Sequence, residues 1–209
     1  GMLRLIPDWL LYIVVTAAVV FALFSLDSGQ RANAPPAMPD WADSGAQLPP
    51  PSIYDPEVLV EVGAASSGLG SAFAISEEGW WVTARHIVDS CRSVALVVSR
   101  GVATPVRDVK VALFADLALL RTDRAPRALA LDTSERQFQV NQRAYHVGYP
   151  QGRAGEVYSR LIGRETLVAR GRYDTEEPVL AWAVLGRTGG LSGSLAGISG
   201  GPAISATGQ

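Results

Sequence analysis

The chain shows three different patterns of apolar and polar residues along its length. The first is a nearly unbroken apolar run from Trp9 to Leu26, interrupted only by Thr16 and Ser25. A bilayer core of about 30 Å needs roughly 20 apolar residues in a helix, so this run is long enough to span it. The pattern therefore predicts one transmembrane helix within residues 1–26.

A cleaved secretory signal is the alternative interpretation of the same run. Ala32-Asn33-Ala34 fits the small-x-small pattern of a cleavage site. The apolar run exceeds the roughly 7–15 residues of a signal core, however, and Pro35 would directly follow the cut. An uncleaved anchor is therefore favoured, and both interpretations place the remainder of the chain across a membrane.

The second pattern is a proline-rich stretch over residues 27–52. Its prolines stand among alanine, serine, glycine and aspartate, a composition typical of extended, semi-rigid spacers. We expect it to hold the following domain away from the membrane surface.

The third pattern begins at Ile53 and consists of short apolar runs separated by turn residues. Runs of four to eight residues enriched in valine and aromatics predict strands, and no long stretch has helical periodicity. The predicted strands are Val58–Val62, Ser71–Ile75, Trp80–Thr83, Val94–Val98, Val109–Phe114, Leu117–Leu120, Ala144–Val147, Glu156–Ile162 and Val179–Val184. The pattern predicts an all-β fold of two packed units, with the changeover near Arg124–Leu131.

Composition narrows the choice of partners and cofactors. The net charge of -2 gives no reason to expect a nucleic-acid partner. Cys91 is the single cysteine, so no disulfide can form within the chain. His86 and Cys91 are too few to complete a metal site. We therefore expect neither a metal nor a cofactor.

Three residues at the ends of apolar runs are candidates for catalysis. His86 follows the Trp80–Thr83 run, Asp116 begins the Leu117–Leu120 run, and Ser199 lies in a glycine-rich loop. A serine hydroxyl becomes a strong nucleophile when a base takes its proton, and imidazole titrates in the required range. A carboxylate can fix the tautomer of that imidazole and stabilise its protonated form.

The loop around Ser199 also supplies backbone donors. In Gly197-Ile198-Ser199-Gly200-Gly201-Pro202 the glycines allow the backbone to approach a substrate closely. The amides of Gly197 and Ser199 could then point at one developing oxyanion. Ser192 and Ser194 are rival nucleophiles, but neither precedes Gly-Gly-Pro.

These motifs together resemble the trypsin-like (chymotrypsin-fold) serine peptidases, in particular their bacterial HtrA-like branch. Thr83–Val88 is similar to the family's Thr-Ala-x-His motif, and Asp116–Leu120 to its Asp-Ile/Leu-Ala-Leu strand. Gly197–Pro202 is similar to its Gly-Asp/Asn-Ser-Gly-Gly-Pro loop. Gly68–Ser71 and Gly148–Gly152 resemble further HtrA-like motifs. The histidine, aspartate and serine also occur in the order found in chymotrypsin.

The resemblance implies two six-stranded β-barrels with an active site between them, and hydrolysis of polypeptide through an acyl-enzyme. It assigns His86 as the base, Asp116 as its orienting carboxylate, and Ser199 as the nucleophile. Gly197 and Ser199 would form the oxyanion hole, and Gly193 would lie at the base of the specificity pocket. The peptidase domain would occupy residues 53–209. Its location would be periplasmic, held to the bacterial inner membrane by the predicted anchor and hence in contact with lipid.

The chain departs from the family pattern in ways that keep alternatives open. Ile198 replaces the usual acid or amide before the serine, and Gly193 gives no reason for cleavage after lysine or arginine. Ten residues follow Ser199, so the second barrel is expected to be incomplete and the domain C-terminally truncated. A catalytically silent binding or scaffold protein is therefore the alternative function, and a hydrolase of non-peptide esters is a weaker one. The sequence leaves the oligomeric state open.

Overall fold

The computed structural model describes residues 45–66, 68–132 and 137–205. In these ranges the chain is almost entirely β, with one short helix, α1 (Arg85–Val88), and one 3-10 turn at Pro150–Gly152. The strands are β1 (Glu57–Val62), β2 (Phe73–Ser76), β3 (Trp80–Thr83), β4 (Ala95–Ser99), β5 (Val102–Pro105), β6 (Asp108–Val111), β7 (Ala118–Arg121), β8 (Arg143–Gly148), β9 (Gly155–Gly171), β10 (Thr175–Arg187) and β11 (Ala203–Ser205). The mostly β fold expected from the sequence is confirmed.

Strand pairing divides most of the strands at the changeover that the sequence predicts. Before it, β2, β3, β7 and β6 form one antiparallel sheet, and β4 and β5 form a separate hairpin. After it, β11, β8, β9 and β10 pair antiparallel in a second sheet. β1 is the exception, because it joins the second sheet by pairing parallel with β9. This arrangement is consistent with a chymotrypsin-like fold, and the closed double barrel stays a prediction.

Each apolar run predicted as a strand overlaps an observed one, but β5 and β11 were not predicted. In addition, β9 and β10 extend well beyond their predicted bounds. The extension lies in polar sequence, such as Arg164-Glu165-Thr166 on β9 and Thr175-Glu176-Glu177 on β10. Pairing between the two strands continues to Ala169 and Thr175. Residues with a weak apolar pattern therefore adopt strand structure here because they pair with a distant strand. The result is a long hairpin whose turn, residues 172–174, reaches the candidate site.

A buried cluster beneath α1 fixes the position of that helix. Its buried members are Ala74, Trp81, Val88, Ala118 and Leu120. The indole of Trp81 donates to the Thr122 hydroxyl at 2.9 Å, so its polar atom is satisfied inside the core. Close packing of this kind allows few alternative arrangements. The backbone that presents His86 is therefore set by the first sheet.

The predicted anchor, residues 1–26, lies outside the described residues, and so does the predicted spacer as far as residue 44. Over the ranges that the structure describes, no helix has the length and apolarity to cross a membrane. The last part of the predicted spacer contacts the second sheet. Gln47 forms an antiparallel bridge with Gln139, and the Pro49 carbonyl accepts from Arg164 Nε at 2.7 Å.

Candidate active site

His86 lies in the first turn of α1, directly after β3. Two contacts hold the helix in place besides the buried side chain of Val88. The guanidinium of Arg85 donates to Asp89 Oδ2 and to the Ala112 carbonyl, both at 2.9 Å. The His86 side chain is 39% exposed, so a fixed helix presents a ring that solvent and ligands can reach.

Asp116 lies in the turn between β6 and β7 with its carboxylate facing His86. Oδ2 is 2.6 Å from Nδ1 of the His86 ring, and Oδ1 accepts from the His86 backbone N–H at 2.8 Å. The Tyr173 hydroxyl also donates to Oδ1 at 2.8 Å. An ionised carboxylate can only accept, so Nδ1 carries the hydrogen of this pair. Nε2 of the neutral ring is then the nitrogen that can receive a proton.

Opposing effects act on the pKa of Asp116. Burial alone raises this pKa, but hydrogen bonds from the ring and backbone of His86, with a smaller one from Tyr173, bring it below its ordinary value. A carboxyl group with a lowered pKa is ionised at neutral pH. Asp116 can therefore stabilise a positive charge on the His86 ring.

The loop around Ser199 depends on glycines in left-handed backbone conformations. Gly197 has φ +98° and Gly200 has φ +86°. A Cβ at Gly197 would come within 2.5 Å of the Tyr149 carbonyl oxygen, and one at Gly200 within 2.2 Å of the Ser71 carbonyl oxygen. The chain can follow this path only because both positions lack a side chain.

Ser71 donates hydrogen bonds to two carbonyl groups of the Ser199 loop. Its N–H donates to the Ser199 carbonyl at 2.8 Å, and its hydroxyl donates to the Gly197 carbonyl at 2.6 Å. The same hydroxyl accepts from the Tyr149 N–H at 2.8 Å. The N–H groups of Gly197 and Ser199 donate to no other group within the described ranges. Two backbone donors are thus available to an anionic oxygen.

A cleft of about 610 Å³ brings the sequence-predicted residues together. One wall is apolar and comes from β1 and β9, including Val60, Val62, Leu167 and Ala169. The other side includes His86, Asp116, Gly197 and Ser199. Among the described residues, the Ser199 hydroxyl and the His86 ring line this cleft without a hydrogen bond between them. The structure thus pairs two of the three catalytic candidates and places the third in the same cleft.

The remaining residues singled out in the sequence lie elsewhere. Gly193 is exposed, is not among the residues that line the cleft, and accepts from Arg187 Nη1 at 2.5 Å. Ser192 and Ser194 are also exposed, and their carbonyls accept from the Gln151 side-chain amide. His146 lies in β8, as the sequence indicates, and its Nε2 is 2.7 Å from the Ser159 hydroxyl. Burial lowers the pKa of His146.

Several residues that contact the site were missed in the sequence. The turn of the β9–β10 hairpin supplies Arg172 and Tyr173, and β10 supplies Glu177, whose carboxylate accepts from the Asp116 N–H at 2.6 Å. These partners are between 57 and 86 positions apart along the chain. No local pattern marks such contacts, because the pairing of β9 with β10 creates them.

The described part of the chain contains no group of three or more histidine, cysteine or acidic residues that could hold a metal ion. The residues that line the cleft include a histidine–carboxylate pair, Ser199 and Gly197.

The mostly β fold is consistent with a trypsin-like domain. The chain belongs to the trypsin-like peptidase family, because the family model described as a trypsin-like peptidase domain matches residues 70–209, which is more than half of its length. The family expected from the sequence motifs is confirmed by this match.

Similar proteins include bacterial peptidases of the HtrA type. The probable periplasmic serine endoprotease DegP-like of Rhizobium meliloti (strain 1021) is 29% identical over 138 residues, which cover 62% of this chain and 27% of that protein. This relative agrees with the expected HtrA-like branch.

Solved structures share the fold. The HtrA-type protease AlgW with a decapeptide has a TM-score of 0.52 and 20% identity, with 66% of this chain and 39% of that chain covered. The Rv3671c protease from M. tuberculosis, in its active form, has a TM-score of 0.51 and 23% identity, with 67% and 59% covered. The chain thus spans about a quarter of the curated relative and less than half of the AlgW structure.

Proposed function

We propose that this chain is a serine endopeptidase that cleaves polypeptides through Ser199, His86 and Asp116. The observation that carries the proposal is the His86–Asp116 hydrogen bond of 2.6 Å at a cleft that Ser199 also lines. Membership of the trypsin-like peptidase family supports the peptide bond as the target. The HtrA-type relatives point in the same direction.

In the proposed reaction the Ser199 hydroxyl attacks the carbonyl carbon of the peptide bond. As the new C–O bond forms, Nε2 of His86 takes the hydroxyl proton, and the ionised Asp116 stabilises the resulting imidazolium. The N–H groups of Gly197 and Ser199 bind the negative oxygen of the tetrahedral intermediate. Collapse breaks the C–N bond, and His86 gives its proton to the leaving amine. Water then hydrolyses the acyl-enzyme by the same steps.

The Ser199 hydroxyl must approach Nε2 for the first step. In enzymes of this kind the catalytic hydrogen bonds are often loose without substrate and tighten when it binds. Rotation of the short serine side chain about its Cα–Cβ bond changes the position of Oγ while leaving the backbone bonds to Ser71 intact. The bond from the Ser71 N–H to the Ser199 carbonyl therefore does not prevent this rotation.

A serine-directed fluorophosphonate probe tests the catalytic proposal. An activated serine attacks the phosphorus and expels fluoride, so we expect one stoichiometric label on the peptide that contains Ser199. Mass spectrometry of the digested protein gives the site, and Ser192→Ala and Ser194→Ala are the matched controls that should label like the wild type. If the folded wild type is labelled on Ser192 or Ser194 and not on Ser199, the assignment of Ser199 is wrong. The assignment is also wrong if the folded protein takes no label.

We also propose that the apolar run from Trp9 to Leu26 tethers the domain to a membrane with the cleft on the extracytoplasmic side. The length of that run and the periplasmic description of the DegP-like relative support the proposal. Alkaline extraction of membranes from a bacterial host should leave the full chain in the pellet. A chain lacking residues 1–26 is the control and should be soluble. Release of the full chain by alkali would contradict the tether.

A further inference from the structure

The turn of the β9–β10 hairpin reaches from the second sheet to the two residues assigned as base and orienting carboxylate. Arg172 Nη2 donates to the His86 carbonyl at 2.6 Å. On β10, the Glu177 carboxylate accepts from the Asp116 N–H at 2.6 Å. The hairpin thus forms hydrogen bonds with the backbone of both His86 and Asp116, although neither residue belongs to its sheet.

Tyr173, in the same turn, contacts the Asp116 carboxylate itself. Its hydroxyl donates to Oδ1 at 2.8 Å, and the residue is only 8% exposed. The guanidinium carbon of Arg85 lies 3.9 Å from the centre of the Tyr173 ring, a distance suited to a cation–π contact. The ring is therefore held between the helix that carries His86 and the turn that carries Asp116.

The protonation states make the direction of this hydrogen bond unambiguous. Burial, with the hydrogen bond and charge of Asp116, raises the pKa of the Tyr173 phenol above its ordinary range. The phenol therefore stays protonated and donates, while the ionised carboxylate accepts. Oδ1 is occupied by the His86 N–H and the Tyr173 hydroxyl, which leaves Oδ2 facing Nδ1. Rotation of the carboxylate would break these bonds.

We propose that Tyr173 is a positioning residue of the peptidase, whose hydroxyl locks the Asp116 carboxylate in the orientation that aligns the His86 ring and whose hydrogen bond sets how much negative charge faces that ring. The proposal rests on the proposed function, because it assigns to Tyr173 a role in the same reaction. If Tyr173 has this role, the β9–β10 hairpin contributes a residue to the active site.

Loss of the Tyr173 hydroxyl should shift the pH dependence of the reaction in a defined direction. The groups that face Asp116 are His86 from α1 and Tyr173 and Glu177 from the hairpin, with Arg85 and Arg172 beside the Tyr173 ring. Removing the hydroxyl leaves more negative charge on the carboxylate, which favours the protonated imidazole. The acidic limb of the pH profile of kcat/KM should then move to higher pH.

The test compares Tyr173→Phe with Tyr158→Phe. Phenylalanine keeps the ring against Arg85 and deletes only the hydroxyl. Tyr158, on β9, is buried to a similar degree, with 6% exposure, and serves as the control for loss of a buried phenol. We expect Tyr173→Phe to lower the rate of fluorophosphonate labelling about tenfold and to shift its acidic limb upward. Tyr158→Phe should leave that limb in place.

A second readout separates this inference from the proposed function. The ¹H–¹⁵N resonances of the His86 ring can be recorded with Ser199→Ala as the background, where no turnover is needed. Adding Tyr173→Phe should move the Nδ1–H resonance, because its carboxylate partner changes. If the wild type labels at Ser199 but neither the limb nor this resonance moves, the role of Tyr173 is wrong and the peptidase assignment stands. If folded wild type never labels but the resonance moves, the peptidase assignment fails and the orienting contact alone remains.

Discussion

Replacing Ser199 by alanine is expected to lower kcat for peptide hydrolysis by about 10⁶-fold, which corresponds to about 8 kcal/mol in the activation free energy. The substitution removes the only atom that would form the acyl-enzyme. It keeps the backbone contacts of the loop, because the Ser71 N–H binds the carbonyl of residue 199 and not its side chain. The loss should therefore appear in kcat with little change in stability, as measured by steady-state kinetics and thermal unfolding.

Ser192→Ala and Ser194→Ala are the matched controls for this prediction. Both serines belong to the same glycine- and serine-rich segment, and both are exposed outside the residues that line the cleft. The activity of Ser192→Ala should stay within about twofold of the wild type, as is usual for surface substitutions. Ser194→Ala also removes the bond that the Ser194 hydroxyl accepts from the Ala196 N–H at 3.1 Å, so it controls for loss of a hydroxyl that contacts this loop and should still retain most of the activity. A Ser199→Ala protein that retains more than a hundredth of the wild-type kcat would exclude Ser199 as the nucleophile.

Replacing Asp116 by asparagine is expected to lower kcat by about 10⁴-fold at neutral pH. Oδ1 receives hydrogen bonds from the His86 N–H and the Tyr173 hydroxyl, so the amide oxygen of asparagine should take that place. The amide NH₂ group would then face Nδ1 of His86. Nδ1 would have to accept, Nε2 would carry the hydrogen, and the ring could no longer take a proton from Ser199.

Kinetics at high pH provide the discriminating measurement for Asp116→Asn. Hydroxide can replace the missing base, so the deficit in kcat/KM should narrow as pH rises. Asp123→Asn is a suitable control, because Asp123 pairs with Arg107 on the surface and lies outside the cleft. Its activity should be close to that of the wild type, since exposed ion pairs contribute little. An Asp116→Asn protein with nearly full activity at neutral pH would refute the role of the carboxylate.

The sequence predicts the three catalytic candidates because each lies in a short motif with its own chemical logic. His86 follows a strand, Asp116 precedes one, and Ser199 is flanked by glycines that the backbone requires. These features are local, so they can be found without knowledge of the fold. The family match to residues 70–209 agrees with the motifs.

Contacts that depend on strand pairing could not be predicted in the same way. Tyr173 and Glu177 reach Asp116 only because β9 and β10 pair far beyond their apolar segments. Their sequence in that region is polar and gives a weak strand signal. Ser71 is an intermediate case, since its Gly-x-Gly-Ser motif is visible in the sequence but its hydrogen bonds to the Ser199 loop are not. The fold class was predictable from periodicity, whereas β1 joining the second sheet in parallel was not.

The bond between the Ser71 hydroxyl and the Gly197 carbonyl joins positions 126 apart in the chain. Closing so long a loop carries an entropic cost that other interactions must offset before the contact is stable. The backbone donors proposed for the oxyanion hole therefore depend on parts of the chain that become neighbours only through the tertiary fold. Local unfolding that separates these parts would abolish the proposed donor arrangement without any change at Ser199 itself.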